Sequence, residues 1–236
     1  MAIKLVDSVD DLLSALRVVK GGDTILLADG DYGSLYLSKG LKGQLLDYDG
    51  PVTIAALNPG KATFSNLDVR SASNLSFEGL DVSGSLNVGY GSSNIGVRNS
   101  SITNLSIRDT DGADISGNTL GGGNFALVLH AASNVSVKGN YIHNVTDDLV
   151  RVVGDSHGVV IENNLISDTV ARAPTHPDLM QMFALNGATP YDITVRGNIL
   201  HDSLSTGSVT PQGIFLNNAT GAFGFKDILI EQNLIW

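Results

Sequence analysis

The chain has 236 residues, and its 24 acidic residues outnumber 14 basic residues, which gives a formal net charge of −10 at neutral pH. This acidic balance argues against nucleic acid as a partner, because the phosphate backbone binds basic surfaces. The sequence has no apolar run as long as a membrane span, and residues 1–20 lack a signal-peptide core, so neither a membrane protein nor a classical secretion signal is indicated. Cysteine is absent, which excludes disulfides and thiolate chemistry.

The N-terminal segment, about residues 1–30, predicts a cap and the first coil of a stacked fold. Ser8 is a suitable N-cap for a helix, with Asp11 three residues later, and Gly21-Gly22 is expected to end that helix. A short strand at 23–27 and a turn at 28–31 follow, so we expect a capping helix, with an ordinary α+β start as the alternative. The helix would present one apolar face, formed by Leu12, Leu13, Leu16 and Val19.

From residue 73 onward the chain repeats a strand-like phrase, seen for example as SNVSVKGN, HGVVIENN and YDITVRGN. The first four intervals are close to twenty residues and the last two are longer, with β-branched alternation and no helical phrase between strands. This pattern predicts an all-β protein, a parallel β-helix that forms a single domain over residues 1–236. The repeat is anchored on the last apolar residue before each turn, namely Phe77, Val97, Ile115, Val137, Ile161, Val195 and Ile230.

An asparagine follows the strand in most of these repeats. Equivalent positions of successive coils stack, so these amides are predicted to form a ladder at one corner, where Asn tolerates left-handed backbone geometry and hydrogen-bonds to the neighbouring coils. We interpret them as structural residues. They are Asn118, Asn140, Asn164, Asn198 and Asn233.

Each coil also contains a second strand, and aligning these strands predicts which side chains share a face. Because side chains alternate along a strand, Val150 and Val152 would face the core while Arg151 faces outward. A first column at the start of the strand would contain Asn124, Asp148 and Asp178. A second column, three positions later, would contain Leu127, Arg151, Gln181 and Phe215.

The two longest intervals place extra loops at 168–178 and at about 202–212. Both fall on the same side of the coil, where they could wall a groove. The last repeat stops at Trp236 without a polar cap, so we expect either that the sequence is a fragment or that a further domain or chain covers the last coil. One more column lies three residues after the ladder asparagines and contains His143, Ser167, His201 and Trp236.

Polar side chains that could carry chemistry converge on this predicted face. An outward Arg151 suits bidentate binding of a sugar carboxylate, and His176 on an exposed loop can transfer a proton near neutral pH. Asp178 is the third candidate catalytic residue, and Asp148 with Asp178 could bind calcium. The candidate substrate-binding residues are Gln181, Asp148, Asp147, His143 and His201.

Each candidate also has a structural interpretation. Asp147-Asp148 follows a turn and could have no role beyond capping it. Arg151 could have no role beyond pairing with an aspartate between coils. His176 precedes Pro177 and could shape the loop. The two remaining histidines could be structural or line the groove.

Several stretches resemble a known group of proteins, namely GGDTILLADGDYGSLYLS, DDLVRVVGDSHGVVIENN, HPDLMQMF and PQGIFLNN. They are similar to right-handed parallel β-helix proteins of the bacterial polysaccharide lyase and alginate C5-epimerase type, above all to exported versions with calcium-binding repeats downstream. The resemblance covers the whole chain as architecture and about residues 147–217 as local motif. It implies a right-handed coil, an extracellular location and an acidic polysaccharide such as alginate or pectate as partner.

The resemblance also bears on the candidate residues. His176-Pro177-Asp178 has ingredients similar to the Asp-Pro-His-Glu run of the epimerase modules, in another order. Lyases of this fold commonly use Lys or Arg as a base, and Arg151 is the well-placed candidate for that role. Calcium, which Asp148 and Asp178 could bind, is the one cofactor that the sequence suggests.

These observations predict a lyase or epimerase that removes the proton at C5 of a uronic acid. Arg151, helped by Gln181 or by a cation, would neutralise the carboxylate, and His176 would transfer the proton. An inverting glycoside hydrolase is the second alternative, with Asp147, Asp148 and Asp178 as carboxylates about 6.5–9.5 Å apart across the groove. A non-catalytic glycan-binding or adhesin coil is the third, since the fold alone does not choose among them.

Overall fold

The computed structural model describes residues 1–40, 46–203, 209–218 and 224–236. Within these residues it has one helix, α1 (Val9–Ala15), and the following strands: β1 Ile3–Val6, β2 Thr24–Leu27, β3 Gly30–Asp31, β4 Ser34–Ser38, β5 Asp47–Ala56, β6 Ala62–Phe64, β7 Asn66–Arg70, β8 Ser73–Glu78, β9 Asp81–Gly89, β10 Ser92–Arg98, β11 Ser101–Arg108, β12 Thr110–Ser116, β13 Thr119–Gly121, β14 Leu127–His130, β15 Ser133–Lys138, β16 Tyr141–Val145, β17 Val150–Val153, β18 His157–Glu162, β19 Leu165–Thr169, β20 Asp178–Phe183, β21 Tyr191–Arg196, β22 Ile199–His201, β23 Gln212–Asn217, β24 Lys226–Glu231 and β25 Leu234–Ile235.

The strands stack in parallel into a solenoid with three faces. Face A is a ten-stranded sheet in the order β1-β2-β5-β8-β10-β12-β15-β18-β21-β24. The other strands form a 15-stranded sheet that bends along its length and so makes two faces. Face B contains β3, β6, β13, β16, β19, β22, β25 and the first parts of β9 and β11, whereas face C contains β4, β7, β14, β17, β20, β23 and the second parts of β9 and β11.

The repeat anchors pair with one another in the predicted register. Val97 lies beside Phe77 and Ile115, and the series continues through Val137, Ile161, Val195 and Ile230 on face A. The first six anchors are at most 1% exposed, because each points into the continuous apolar core between the faces. The parallel solenoid predicted from the intervals is confirmed.

The asparagine ladder is also confirmed, and Asn140 illustrates it. Its Nδ2 donates to the carbonyl of Ile115 at 2.9 Å and to Oδ1 of Asn164 at 3.0 Å. Its Oδ1 accepts the backbone N–H and the Nδ2 of Asn118, at 2.9 and 3.0 Å. Every polar atom of this buried amide therefore has a partner in a neighbouring coil.

The left-handed backbone expected at the ladder lies one residue earlier than predicted. Gly139 has φ 63° and Asn163 has φ 55°, whereas Asn140 and Asn164 themselves do not have positive φ. The turn must be made before the ladder residue, because that residue uses both its backbone N–H and its amide to bond along the stack.

The N-terminal helix covers the first coil as predicted. The Oγ of Ser8 accepts the backbone N–H of Asp11 at 3.2 Å, and Leu12, Leu13, Leu16 and Val19 are all buried. The helix ends at Ala15, however, and not at Gly21-Gly22. Beyond Ala15 the N–H groups of Arg17 and Val18 bond three residues back, which tightens the chain into a 3₁₀-like turn.

The alignment of the second strands was wrong by one residue in one coil, that of β14. Arg151 pairs with Gln181, and Gln181 pairs with Phe215, as expected. The neighbour of Arg151 in the preceding coil, however, is Val128 and not Leu127. Leu127 is fully buried in the core, and a slip of one residue exchanges the two sides of a strand. Asn124 is displaced for the same reason, and its carbonyl accepts the N–H of Asp147.

Faces B and C are joined by segments whose length varies along the solenoid. In β9 and β11 one strand serves both faces, whereas β19 and β20 are separated by residues 170–177 and β22 and β23 by residues 202–211. The first predicted loop is thus confirmed, and residues 204–208 of the second lie outside the described residues. No helix in the described part of the chain is long and apolar enough to cross a membrane.

Candidate functional site

The predicted site lies at the start of β17 and β20 on face C, where Asp148 links two coils. Asp148 is fully buried, and its Oδ2 accepts the Nε of Arg151 at 2.6 Å. Its Oδ1 accepts the backbone N–H of Asp178 in the next coil at 2.8 Å. A charged carboxylate can be buried here because both of its oxygens are hydrogen-bonded and one partner is a cation.

The guanidinium of Arg151 lies between two aromatic rings. Its Cζ is 3.9 Å from the ring centroid of Phe125 and 5.5 Å from that of Phe183. Its Nη2 is 4.0 Å from Oδ1 of Asp147, and 24% of the side chain remains exposed. The arginine is therefore held in place from three sides, with N–H groups left over for a ligand that reaches the surface.

Asp178 is the least satisfied polar residue of the site. It is 2% exposed; its Oδ2 accepts the Nε2 of Gln181 at 2.7 Å, and its buried Oδ1 has no hydrogen-bond partner among the described residues. Burial raises the pKa of Asp178 to about 6, and the charge of Asp148 adds to the rise, against the opposing effects of Gln181, His176 and Arg151. Asp178 can thus gain or lose a proton just below neutral pH.

Asp147 is the accessible carboxylate of the group. Burial raises its pKa above the ordinary value, Asp148 adds to the rise, and Arg151 opposes it. Asp147 lines a cavity of about 340 Å³ whose other wall is the loop 170–177, with Arg172 and Thr175. The cavity is large enough for part of a sugar unit and brings a cation of the loop toward the carboxylate.

His176 is exposed on the same loop, directly before Pro177 and Asp178. It is close enough for its charge to lower the pKa of Asp178. The histidine and the buried carboxylate are therefore electrostatically linked, although their side chains share no hydrogen bond within the described residues.

The two other predicted histidines, His143 and His201, lie on face B, away from these contacts. His143 stacks on Tyr141 with ring centroids 4.1 Å apart, and His201 stacks on Trp236 at 5.0 Å. Burial lowers the pKa of His143, and the charge of Asp168 opposes that effect. The structure thus brings together six of the predicted residues, Asp147, Asp148, Arg151, His176, Asp178 and Gln181, and places His143 and His201 in a separate column.

Calcium at Asp148 and Asp178 stays a prediction. Both oxygens of Asp148 and one of Asp178 already accept hydrogen bonds from the protein. Among the described residues no group of three or more His, Asp or Glu side chains is arranged to hold a metal. These two carboxylates alone do not supply the roughly six to eight oxygen ligands that calcium prefers, so no chemical step is assigned to the ion.

Three residues of the site were missed by sequence reasoning, namely Phe125, Phe183 and Arg172. Phe183 pairs with Val153 and lies two residues after Gln181 on the outward side of face C, so the predicted pairing of Arg151 with Gln181 already implied that this ring lies near Arg151. Phe125 and Arg172 lie in connecting segments, where the repeat gives no register.

Comparison with known protein families identifies the fold of the chain. The family model described as a right handed beta helix region matches residues 49–235. No curated protein sequence matches the chain.

Three solved structures illustrate the similarity in three dimensions. An alginate lyase from Paenibacillus sp. str. FPU-7 superposes with a TM-score of 0.63 and 13% identity, over 100% of this chain and 95% of that one. The periplasmic alginate epimerase AlgG gives a TM-score of 0.58 and 10% identity, over 92% of this chain and 61% of that one. The Dettilon tailspike protein gp208 gives a TM-score of 0.61 and 12% identity, over 90% of this chain and 44% of that one. At such identities the likeness shows the fold alone.

Proposed function

This chain belongs to the right-handed β-helix family, and from that premise we propose that face C binds an acidic polysaccharide and removes the proton at C5 of a uronic-acid unit. The family match also confirms the predicted handedness of the coil. The observation that carries the proposal is the fixed guanidinium of Arg151, clamped by Asp148 and two Phe rings beside the accessible carboxyl group of Asp147. Neighbours of the same fold that are alginate lyases and an alginate epimerase support the choice of substrate class.

Proton removal at C5 requires that the adjacent carboxylate be neutralised. A carboxylate that stays anionic disfavours a second negative charge on C5, whereas a bidentate guanidinium draws that charge toward the carboxyl oxygens. Arg151 is suited to this role because its Nε is committed to Asp148, which leaves its terminal N–H groups for the sugar. Phe125 and Phe183 fix the plane of the guanidinium, so little rotational freedom is lost on binding.

His176 and Asp147 are assigned the proton transfers. His176 in its neutral form accepts the C5 proton, and the electron pair of that C–H bond is delocalised onto the carboxyl oxygens that Arg151 holds. In a lyase this electron pair forms the double bond between C4 and C5 as the C4–O bond breaks, and the protonated form of Asp147, which its raised pKa favours, donates a proton to the departing oxygen. In an epimerase the C4–O bond stays intact, and a proton returns to C5 from the opposite side.

Burial tells against the hydrolase alternative. An inverting hydrolase needs two accessible carboxyl groups, one for the leaving oxygen and one for water. Asp148 and Asp178 are 0% and 2% exposed, and Asp147 alone among the three predicted carboxylates reaches the cavity. The non-catalytic glycan-binding alternative is favoured by the aromatic rings around Arg151 and by the similarity to a tailspike protein.

The decisive experiment incubates the protein with alginate, pectate and glycosaminoglycan chains in D₂O, with calcium or with a chelator. A lyase gives the ultraviolet absorbance of an unsaturated uronate, whereas an epimerase incorporates deuterium at C5 without that absorbance. Either signal should fall at least about a hundredfold in Arg151→Ala and His176→Ala, which remove the neutralising group and the base. Binding without product would support the glycan-binding alternative, and silence on every polymer would refute the proposal.

The chelator arm tests the predicted calcium, since activity that persists without divalent cations would exclude a calcium requirement. An acidic polysaccharide substrate also implies a location outside the cytoplasm, which agrees with the periplasmic neighbour. Detecting the protein in the periplasm or culture medium of its source would test that part of the proposal.

A further inference from the structure

A second cleft lies on face C, on the N-terminal side of Arg151. It encloses about 180 Å³ between β11, β14, β17 and β20, and it shares Arg151, Phe125 and Phe183 with the candidate site. The opposite end is formed by Arg108 and His130, which are neighbours in adjacent coils. We call this space the Arg108 cleft.

Arg108 is held in position without a carboxylate partner. Its Nε donates to Oγ of Ser106 at 2.8 Å, and its Nη1 lies 3.3 Å from Nδ1 of His130. None of the ion pairs among the described residues involves Arg108, whereas Arg70, Arg98, Arg151 and Arg196 all pair with acidic side chains. In a protein with a formal net charge of −10, an oriented and uncompensated guanidinium marks a local site for an anion.

The floor of the cleft is apolar. Val128 and Val153 point outward from their strands, yet they are only 7% and 3% exposed, because Phe125, Phe183 and Leu185 rise around them. A cationic rim over an apolar floor matches a ligand with a carboxylate on one edge and C–H groups on its face. A pyranose uronate has this character, whereas a small inorganic anion would leave the floor unused.

The spacing of the two arginines fits a chain and not a single sugar. Arg108 is in β11 and Arg151 in β17, with β14 between them, so the two strands are about 9.5 Å apart at a strand spacing near 4.8 Å, and Arg108 lies in the row of His130 and Val153, two residues beyond the row of Arg151. That distance exceeds the width of one pyranose ring. A polymer that crosses face C obliquely to the solenoid axis could therefore place one carboxylate on Arg151 and another on Arg108.

We propose that the Arg108 cleft is a second uronate-binding subsite, in which Arg108 binds the carboxylate of a sugar further along the polymer. This inference rests on the proposed substrate class but not on the chemistry at the Arg151 site. His130 acts as a positioning residue that orients the guanidinium through its Nδ1.

The test compares Arg108→Ala with Arg17→Ala, a matched control that removes an exposed arginine from the N-terminal helix region. Calorimetry would measure binding of alginate and pectate oligosaccharides from disaccharide to hexasaccharide, and of carboxyl-reduced oligosaccharides of the same lengths. We expect Arg108→Ala to weaken binding of the longer uronates about tenfold, as for loss of a charge-assisted hydrogen bond, with a smaller effect on the disaccharide. Arg17→Ala should bind like the wild type.

The outcomes separate the inference from the proposed function. Equal affinities of Arg108→Ala and Arg17→Ala for long uronates would overturn the subsite, even if the wild type forms product. Binding that depends on Arg108 in a protein that forms no product would support the subsite and refute the chemistry. A wild type that binds no uronate would overturn both. Arg108→Gln keeps the aliphatic stem as far as Cδ but removes the charge, and it replaces Arg108→Ala if the circular dichroism of the latter is not native.

Discussion

The asparagine corner and the candidate site both use buried polar side chains to join successive coils, but they do so with different completeness. At the corner the same residue recurs, and Asn140 has a partner for each of its amide atoms. On face C the equivalent positions change from coil to coil, and the network around Asp148 leaves Oδ1 of Asp178 without a partner among the described residues. Repetition therefore stabilises the scaffold, whereas the break in repetition leaves hydrogen-bonding capacity and charge for a ligand.

The largest effect is expected from breaking the corner with Asn140→Ala. The change leaves the backbone N–H of Asn118 and the carbonyl of Ile115 buried without this partner. The free energy of unfolding should fall by about 4 kcal/mol, because several buried groups lose their bonds at once. Urea denaturation followed by circular dichroism measures it.

The matched control for that change is Asn87→Ala on the outer side of face C. Asn87 is half-buried and makes no side-chain hydrogen bond within the described residues. Its replacement should shift the urea midpoint little. Equal shifts for the two variants would show that the ladder is not a special source of stability.

The next effect concerns the charge pair at the site. Arg151→Ala leaves the carboxylate of Asp148 buried without its cation, so we expect a loss of about 3 kcal/mol in unfolding free energy. Adding Asp148→Asn removes the unpaired charge and should restore part of this loss, since an amide oxygen can still accept the N–H of Asp178. Urea unfolding of the two single variants and the double variant completes the cycle, and strictly additive losses would contradict a coupled pair.

The same contrast explains how far the sequence could be interpreted. The anchors such as Val97 and Val137 and the ladder positions could be predicted, because one residue type recurs at one structural position in coil after coil. On face C the register slipped at Leu127, since the segments that join faces B and C differ in length and carry no recurring residue. Phe125 and Arg172, which lie in such segments, could not be placed for that reason.

The grouping of site residues follows the same rule. Arg151 and Gln181 were predicted to share a column because the alternation of Val150 and Val152 fixes their direction. His143 was expected near the groove, yet it stacks on Tyr141 of its own strand. A column predicts neighbours along the stack, but it does not predict which side chains meet across the loop between two faces.

The smallest effect, and the one that distinguishes the two regions most directly, is expected from Asp178→Asn. The folded pKa of Asp178 is raised to about 6 from 3.8, so between these values the folded protein holds a proton that the unfolded chain has lost. Stability from this group is therefore complete below 3.8 and is lost as pH rises through about 6. An amide cannot ionise, so the variant should be about 1–2 kcal/mol more stable than wild type at neutral pH and lack this slope. Urea midpoints measured between pH 3.8 and about 6 give both the stability and its slope with pH. The control Asn140→Ala, which lowers stability elsewhere in the fold, should keep the wild-type slope. A slope retained in Asp178→Asn would show that another group titrates in this pH range.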